Sequence, residues 1–280
     1  MKRACVIGWP IAHSRSPLIH GYWLKKYGIE GSYTKEAVKP EELKEFISTL
    51  ASRGFAGCNV TVPHKEAALR WVAECGGMID ATATGAGAVN TLWIGGNGRL
   101  HATSTDDYGF TTHLQSSVPG LDLNGRPVMV LGAGGAARSI IRALQVAGAS
   151  DVRICNRSIE KAEALGATGR SVHAWEQRSE QLKDCALLVN TTTLGMVEQP
   201  TLEIDLSRLP AAAVVYDIVY VPLETALLRD ARQQGLRTVD GLGMLLHQAA
   251  PGFLKWFGVK PEVTAELRAL IAADIAGAAC

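Results

Sequence analysis

A chain of 280 residues with a formal net charge of +1 has room for one or two cored domains and lacks the basic excess that nucleic acid demands. With 47% hydrophobic and 20% charged residues it reads as a folded globular protein, and no apolar run reaches the ~20 residues that span a bilayer. Neither a nucleic acid nor a membrane is an expected partner.

The apolar stretch at 4–8 is too short for a signal peptide and reads as a first strand, ended by Gly8 and Pro10. Pro17, in a favoured first-turn position, opens a helix running to about residue 27. A strand is expected over 32–38 and an amphipathic helix over 41–52, where Leu43, Phe46, Ile47 and Leu50 recur at helical spacing. Residues 58–62 read as a buried strand in which Asn59 and Thr61, at strand period, point to one face. Pro63 stops that strand, and Lys65 begins a helix to 74. A lysine there suits either a solvated helix face or a cleft lined with Asn59 and Thr61, and both readings stand on these residues alone. Residues 88–93 and 99–102 form a hairpin around the turn Gly95-Gly96-Asn97-Gly98, with Asn90 at a strand start and Thr105-Asp106 beyond it. Strands alternating with helices predict a largely parallel, helix-covered sheet.

A second βαβ series starts near Pro127. The strand 128–131 leads into Gly132-Ala133-Gly134-Gly135-Ala136-Ala137, a turn read as preceding a helix over 137–147. Gly132-x-Gly134-x-x-Ala137 fits the dinucleotide fingerprint in the strand–turn–helix context its mechanism requires. Strands are expected over 151–155, 186–190, 213–217 and 237–239, and helices over 244–257 and 262–276. At the end of the second strand an NAD site usually offers an acid, whereas this chain has Asn156-Arg157-Ser158 with Lys161 beyond. Guanidinium, ammonium and hydroxyl groups suit a 2′-phosphate and favour NADP. The alternative is an ordinary helix start, with Ser158 as cap and Lys161 solvated. The six cysteines, Cys5, Cys58, Cys75, Cys155, Cys185 and Cys280, include no C-x-x-C pair, and no metal-ligand spacing links them to the seven histidines. Reduced thiols of a cytoplasmic protein and no metal are expected.

Gly8-Trp9-Pro10-Ile11-Ala12-His13-Ser14-Arg15-Ser16-Pro17 resembles the N-terminal signature of shikimate dehydrogenases. Segments 59–66 and 87–92, Thr105-Asp106, the turn at Gly132, Tyr216-Asp217 with Tyr220, and Gly241-Leu242-Gly243-Met244 with Gln248 resemble further motifs of that family, in order from Val6 to Trp256. The resemblance implies an α/β chain: an N-terminal substrate-binding and catalytic domain at 1–106, a Rossmann-type NADP-binding domain at 107–240, and C-terminal helices at 241–280 returning to the first domain. It implies reversible, NADP-dependent reduction of 3-dehydroshikimate to shikimate by a monomer or homodimer. Ser14 and Ser16 would bind the substrate carboxylate, Thr61, Asn90, Asp106 and Gln248 the ring hydroxyls, and Tyr220 would close over the carboxylate end. Asn190-Thr191-Thr192 would line the cofactor, with Ile218 and Gly241 near the nicotinamide. Ser14 and Ser16 have the alternative of capping the helix at Pro17, Gln248 of being a polar point on a helix, and Tyr220 of being core.

Reducing a ketone at a nicotinamide requires an acid for the carbonyl oxygen. Lys65 is the candidate acid and Asp106 its orienting partner. Two positions depart from the family pattern: Ser104 stands where asparagine is usual, and Asp107 where a small residue is common. Asp107 precedes a helix read over 108–115, where an aspartate caps well. A quinate or aminoshikimate dehydrogenase of the same fold is the nearest alternative, and a non-catalytic dinucleotide sensor the alternative from another class.

Overall fold

The computed structural model describes residues 1–277, and Cys280, counted above among the thiols, lies outside the described residues. The chain divides into two units. Residues 1–109 and Leu246–Ile271 form the first, and residues 110–245 with 272–277 the second. The division falls inside three helices, after Gly109, before Leu246 and after Ile271, rather than in loops.

In the first unit β1 (Lys2–Gly8) pairs in parallel with β2 (Gly31–Ala37) and β3 (Gly57–Val60). The helices α1 (Ser16–Lys26), α2 (Leu43–Ser48) and α3 (Lys65–Glu74) lie between and after these strands. β4 (Met78–Ile79), α4 (Ala81–Ala86), β5 (Thr91–Ile94) and β6 (Leu100–Thr103) complete a sheet of order β2-β1-β3-β5-β6-β4. The expectation of a largely parallel sheet needs correction, because β5 is antiparallel to both β3 and β6. The Gly95–Gly98 connection is short, and only antiparallel neighbours can be joined that way. The helix read over 41–52 is also shorter. Pro40–Glu42 is a 3₁₀ turn, and the Ser48 and Thr49 hydroxyls take the Glu45 carbonyl at 2.9 and 2.7 Å, competing with further helix.

The second unit opens on α5 (Asp106–Ser117), whose first residues belong to the first unit, and contains β7 (Pro127–Leu131), α6 (Gly135–Val146), β8 (Asp151–Asn156), α7 (Ile159–Glu163) and β9 (Arg170–Ala174). β10 (Leu187–Asn190), β11 (Val214–Asp217), α8 (Ala226–Gln233) and β12 (Arg237–Val239) follow. The six strands are all parallel in the order β12-β11-β10-β7-β8-β9, which is the doubly wound 3-2-1-4-5-6 arrangement of dinucleotide-binding sheets. Both faces are buried. Val128, Val130, Val152 and Ile154 pack with Ile140, Ile141 and Leu144 of α6, while Met129, Leu131, Leu188 and Val215 pack with Leu227 and Leu228 of α8. Strands covered on both sides read as continuous apolar runs, which is why most of them are visible in the sequence.

α9 (Leu242–Phe257) carries the chain back, and α10 (Ala265–Gly277) ends it. The Trp256 indole donates to the Leu92 carbonyl at 2.9 Å, and Trp23 donates to the Glu262 carbonyl at 3.0 Å. A Cβ at Gly57 would meet the Leu92 carbonyl and the Trp256 ring nitrogen at 2.1 and 2.2 Å, so glycine is required there. His20 sits beside this seam, fully buried, with Trp23, Tyr33, Phe253 and Trp256 around its ring. Burial, only partly offset by Asn59, pushes its pKa from 6.5 to about 3. Its neutral form therefore stabilises the fold above pH 6.5, and that stability is lost as pH falls toward about 3, because the unfolded chain takes up a proton the folded one refuses. Urea unfolding should show wild type losing ~1.4 kcal/mol per pH unit more than His20→Phe across that window. Parallel curves for the two proteins would exclude this account. Among the described residues no helix is long and apolar enough to cross a membrane.

Candidate active site

Lys65 is the first residue of α3 and Asp106 the first of α5, so two helix starts in the first unit present an amine and a carboxylate to one another. Lys65 Nζ lies 2.6 Å from Asp106 Oδ2, and the lysine side chain keeps 21% of its surface exposed while the aspartate keeps 8%. The start of α3 is held firmly. His64, buried, bonds the Val38 carbonyl through Nε2 at 2.7 Å, and the Val89 amide donates to the Lys65 carbonyl at 3.1 Å.

Asn90, at the start of β5, joins the pair to its surroundings. Its Nδ2 donates to Asp106 Oδ1 at 2.7 Å, and its Oδ1 accepts from the Thr105 amide and the Thr91 hydroxyl, both at 2.9 Å, with the Thr105 hydroxyl oxygen 3.1 Å away. Only the Nδ2 hydrogen now aimed at Gln248 Oε1, a long contact of 3.4 Å, is left for another partner. Gln248 is fixed through its backbone, because the Thr105 hydroxyl donates to its carbonyl at 2.8 Å. Thr91 and Thr105 lie in motifs noted in the sequence, but their part in this network was not read there. Asn59 departs from expectation too. Its side chain is buried, accepts from the Tyr33 hydroxyl at 2.6 Å and donates to Asn90 O and Thr91 Oγ1, so it shares no open face with Thr61. Thr61 stands just past the end of β3, half-buried, its methyl against Gly8.

Ser14 and Ser16 frame the start of α1. Ser14 Oγ accepts from the Ser16 amide at 3.4 Å, a long contact, while Ser16 is buried and the helix start has no side-chain cap bond. Asp107 is not an N-cap. The helix begins one residue earlier, with Gly109 N donating to Thr105 O, and Asp107 Oδ1 accepts the next amide, that of Tyr108, at 2.8 Å. It still satisfies a free N–H in the first turn, so Asp107→Ala should cost ~0.5–1 kcal/mol in denaturant unfolding. It should leave the acidic limb of the pH–rate profile in place, and a displacement of roughly half a unit or more would show that Asp107 tunes Asp106.

In the second unit, the C-terminal ends of β7, β8, β10 and β11 gather the remaining residues, at the point where strand order reverses and ligands bind in such sheets. Gly132 has φ +110°, and a Cβ there would lie 2.5 Å from the Thr191 hydroxyl. Thr191 in turn bonds the Leu131 carbonyl through both its amide and its hydroxyl, at 2.8 and 2.6 Å. The helix starts at Gly135, two residues before the expected 137, so Gly135, Ala136 and Ala137 are its first turn. Gly134 is its cap, exposed and without side-chain atoms to fill the space ahead of the free amides. This cradle fits a pyrophosphate.

Asn190 is wholly buried. Its Nδ2 donates to Asp217 Oδ1 and the Leu194 carbonyl, and its Oδ1 accepts from the Thr192 amide and hydroxyl, so whatever it offers a cofactor comes from its backbone. Asp217 also accepts from the Thr225 hydroxyl and the Val219 amide; burial raises its pKa to about 6 despite those bonds. The pair thus shapes the turn after β11, where Ile218 N donates to the Asn190 carbonyl and Gly241 packs on Ile218 so closely that a Cβ would lie 2.2 Å from its oxygen. Tyr220 is half-buried beyond that turn. At the end of β8 the Asn156 amide donates to the Ser158 carbonyl at 2.8 Å and forms the loop, leaving Arg157 and Lys161 exposed. Ser158 makes no side-chain cap bond. Its hydroxyl donates to Glu160, an acid near the expected phosphate subsite that the sequence reading passed over.

Comparison with known proteins gives the chain its relatives. Residues 6–92 match the family model of the shikimate dehydrogenase substrate binding domain, and residues 113–219 that of shikimate/quinate 5-dehydrogenase. Shikimate dehydrogenase (NADP(+)) of Azorhizobium caulinodans is 50% identical over 279 residues, covering 99% of this chain and 98% of its own. Shikimate 5-dehydrogenase of Thermus thermophilus, solved with NADP(H) and shikimate, superposes with a TM-score of 0.84 at 34% identity, covering 98% of this chain and all of that one. Quinate dehydrogenase of Corynebacterium glutamicum, solved with NAD, gives a TM-score of 0.88 at 28% identity, covering 97% and 99%. A doubly wound second unit, a lysine–aspartate pair in the first, and half-identical relatives along almost the entire chain place this protein in the shikimate dehydrogenase family.

Proposed function

We propose that this protein is an NADP-dependent shikimate dehydrogenase that reversibly reduces 3-dehydroshikimate to shikimate. The observation that carries the mechanism is the Lys65–Asp106 pair at 2.6 Å, anchored by Asn90 and still partly open at the ammonium. The bound cofactor supplies the hydride for the carbonyl carbon. Lys65 donates a proton to the carbonyl oxygen as it gains charge and recovers that proton in shikimate oxidation. Asp106 holds the ammonium by Oδ2, leaving its other N–H groups for the substrate, and Asn90 holds Oδ1 so that the carboxylate cannot swing away.

In this reading Ser14 and Ser16 bind the substrate carboxylate, Thr61, Asn90, Asp106 and Gln248 the ring hydroxyls, and Tyr220 closes over the carboxylate end. Gly132, Ala133, Gly134, Gly135 and Ala136 would cradle the pyrophosphate, and Asn156, Arg157, Ser158 and Lys161 the 2′-phosphate. Asn190, Thr191, Thr192, Ile218 and Gly241 would border the nicotinamide half. Residues 1–106 would form the substrate domain and 107–240 the cofactor domain, with the segment from 241 returning to the former. A cytoplasmic monomer or homodimer completes the proposal. Absorbance assays with shikimate or quinate and with NADP or NAD test it. Shikimate with NADP should give the highest kcat/KM, and faster turnover of quinate with NAD would transfer the assignment to the quinate branch represented by the Corynebacterium glutamicum structure.

A further inference from the structure

Asn190 and Asp217 are the last residues of two neighbouring strands and stand directly opposite each other in the β10–β11 register. Every residue before them in both strands is apolar or aromatic and buried, and the two polar residues are wholly buried as well. A carboxylate in such a place is costly, because burial strips its hydration, and it persists only where donors supply its oxygens. Asp217 is so supplied. Its Oδ1 accepts from Asn190 Nδ2 at 2.9 Å and from the Val219 amide at 3.0 Å, and its Oδ2 accepts from the Thr225 hydroxyl at 2.7 Å.

Each donor brings a different stretch of chain with it. Asn190 Oδ1 accepts the Thr192 hydroxyl at 2.7 Å and the Thr192 amide at 3.0 Å, and its Nδ2 also reaches the Leu194 carbonyl at 3.2 Å, so the loop after β10 is wound about that side chain. The Val219 amide belongs to the turn after β11, where the Ile218 amide donates to the Asn190 carbonyl at 3.1 Å. Thr225 caps α8, its hydroxyl oxygen accepting from the Leu228 amide at 3.4 Å. Both segments assigned to the nicotinamide half therefore hang from Oδ1, whereas Oδ2 serves α8. We propose that Asp217 is a positioning residue for hydride transfer: through Oδ1 it holds the Thr191–Thr192 loop and the Ile218 turn in fixed relation, and so sets the surface that orients the nicotinamide ring. The proposal rests on these segments bordering the nicotinamide half, as assigned above. The adenosine half is assigned to the start of α6 and the loop after β8, so Asp217 acts on reaction geometry more than on affinity, and a ring displaced by ~1 Å can cost about 10² in rate.

Variants that separate the two oxygens test this. Asp217→Ala removes every bond, Asp217→Asn keeps an oxygen for Asn190 and Val219 and turns its amide nitrogen to the Thr225 oxygen, and Thr225→Val deletes the bond to Oδ2 alone together with the α8 cap. Single-turnover oxidation of shikimate, followed by NADPH absorbance, reads hydride transfer. Competitive inhibition by adenosine 2′,5′-bisphosphate, which has the 2′-phosphate and no nicotinamide, reads the adenosine half. Asp217→Ala should slow hydride transfer roughly ten- to a hundredfold and leave the inhibition constant within about twofold of wild type. Asp217→Asn should restore the rate to within about threefold of wild type, and Thr225→Val should leave it within about twofold while unfolding at lower urea concentration. Asn190→Ala, which removes one of the two Oδ1 donors, should show the same separation of rate from inhibitor binding, and it decides the matter if Asp217→Ala does not fold.

Several results would overturn the inference. One is a hydride-transfer rate that Asp217→Ala, or Asn190→Ala in its place, leaves unchanged. Another is inhibitor binding weakened by the same factor as the rate, which means general damage to the unit. Asp217→Asn as slow as Asp217→Ala would assign the effect to the negative charge, and Thr225→Val as slow would assign it to α8. Should the unmodified protein fail to oxidise shikimate with NADP, the functional reading itself fails and this inference goes with it, a result distinct from any comparison among the variants.

Discussion

Lys65→Ala is expected to lower kcat by roughly 10²–10⁴, the usual consequence of losing a general acid. The shikimate KM should change far less, because the residues proposed to hold the substrate, Ser14, Ser16 and those around Asn90, all remain. Two features of the site make the loss hard to replace. The Lys65 ammonium is the cation bonded to Asp106 Oδ2, and Asp106 is only 8% exposed, so the deletion leaves a nearly buried carboxylate without its counter-charge. Asn90 still donates to Oδ1, which keeps the carboxylate in place but gives it no proton to deliver. Asp106→Asn should also cost rate while leaving NADP binding intact, since the bond from Asn90 can persist to an amide oxygen. Single-turnover measurements decide the matter. If Lys65→Ala keeps more than about a tenth of wild-type turnover with chemistry rate-limiting, Lys65 is not the acid.

The parts of this site that were legible in the sequence are those where one residue's chemistry is enough. A glycine-rich turn between a strand and a helix announces itself, because backbone flexibility has few other uses there. Lys65 taken alone suited a solvated helix face as well, and only the motifs around it weighed toward a cleft. The roles of Thr91, Thr105 and Tyr33 were unreadable for the opposite reason. A threonine on a strand and a tyrosine on an alternating strand are ordinary, and only tertiary contact reveals that their hydroxyls complete a network around Asn90 and Asn59.

The same contrast runs through the fold. Strands of the second unit, covered on both faces, were read to within a residue or two, whereas β9, with every residue half-buried and the sequence Arg-Ser-Val-His-Ala, has no apolar run or alternation to read. α4 escaped as well. Asp80 caps it by accepting from Ala83 N at 2.9 Å and Gly87 ends it at φ 63°, yet six residues of Ala-Thr-Ala-Thr-Gly-Ala carry no amphipathic stripe. The mixed order of the first sheet was implicit in the predicted hairpin, and the parallel expectation failed by giving too much weight to alternation of strand and helix.

Cofactor choice gives the second large effect. Arg157→Ala is expected to raise the NADP KM roughly ten- to a hundredfold, the equivalent of one charge-assisted contact worth ~1.5–3 kcal/mol. NAD, which has no 2′-phosphate, should be used about as well as before. The loop that carries Arg157 supports this asymmetry. Asn156 shapes it from within by bonding the Ser158 carbonyl, so the turn does not depend on the arginine side chain, and removing that side chain removes a charge without unmaking the loop. Glu160 sharpens the prediction. It holds the Ser158 hydroxyl at 2.8 Å and places a carboxylate two residues from the serine, which a 2′-phosphate would meet as repulsion unless Arg157 and Lys161 outweigh it. Glu160→Gln should therefore lower the NADP KM, and its effect should be larger in the Arg157→Ala background, where the carboxylate is less well balanced. Equal use of NADP and NAD by the unmodified protein would remove the phosphate-binding role from Arg157 and leave the loop as a plain helix start.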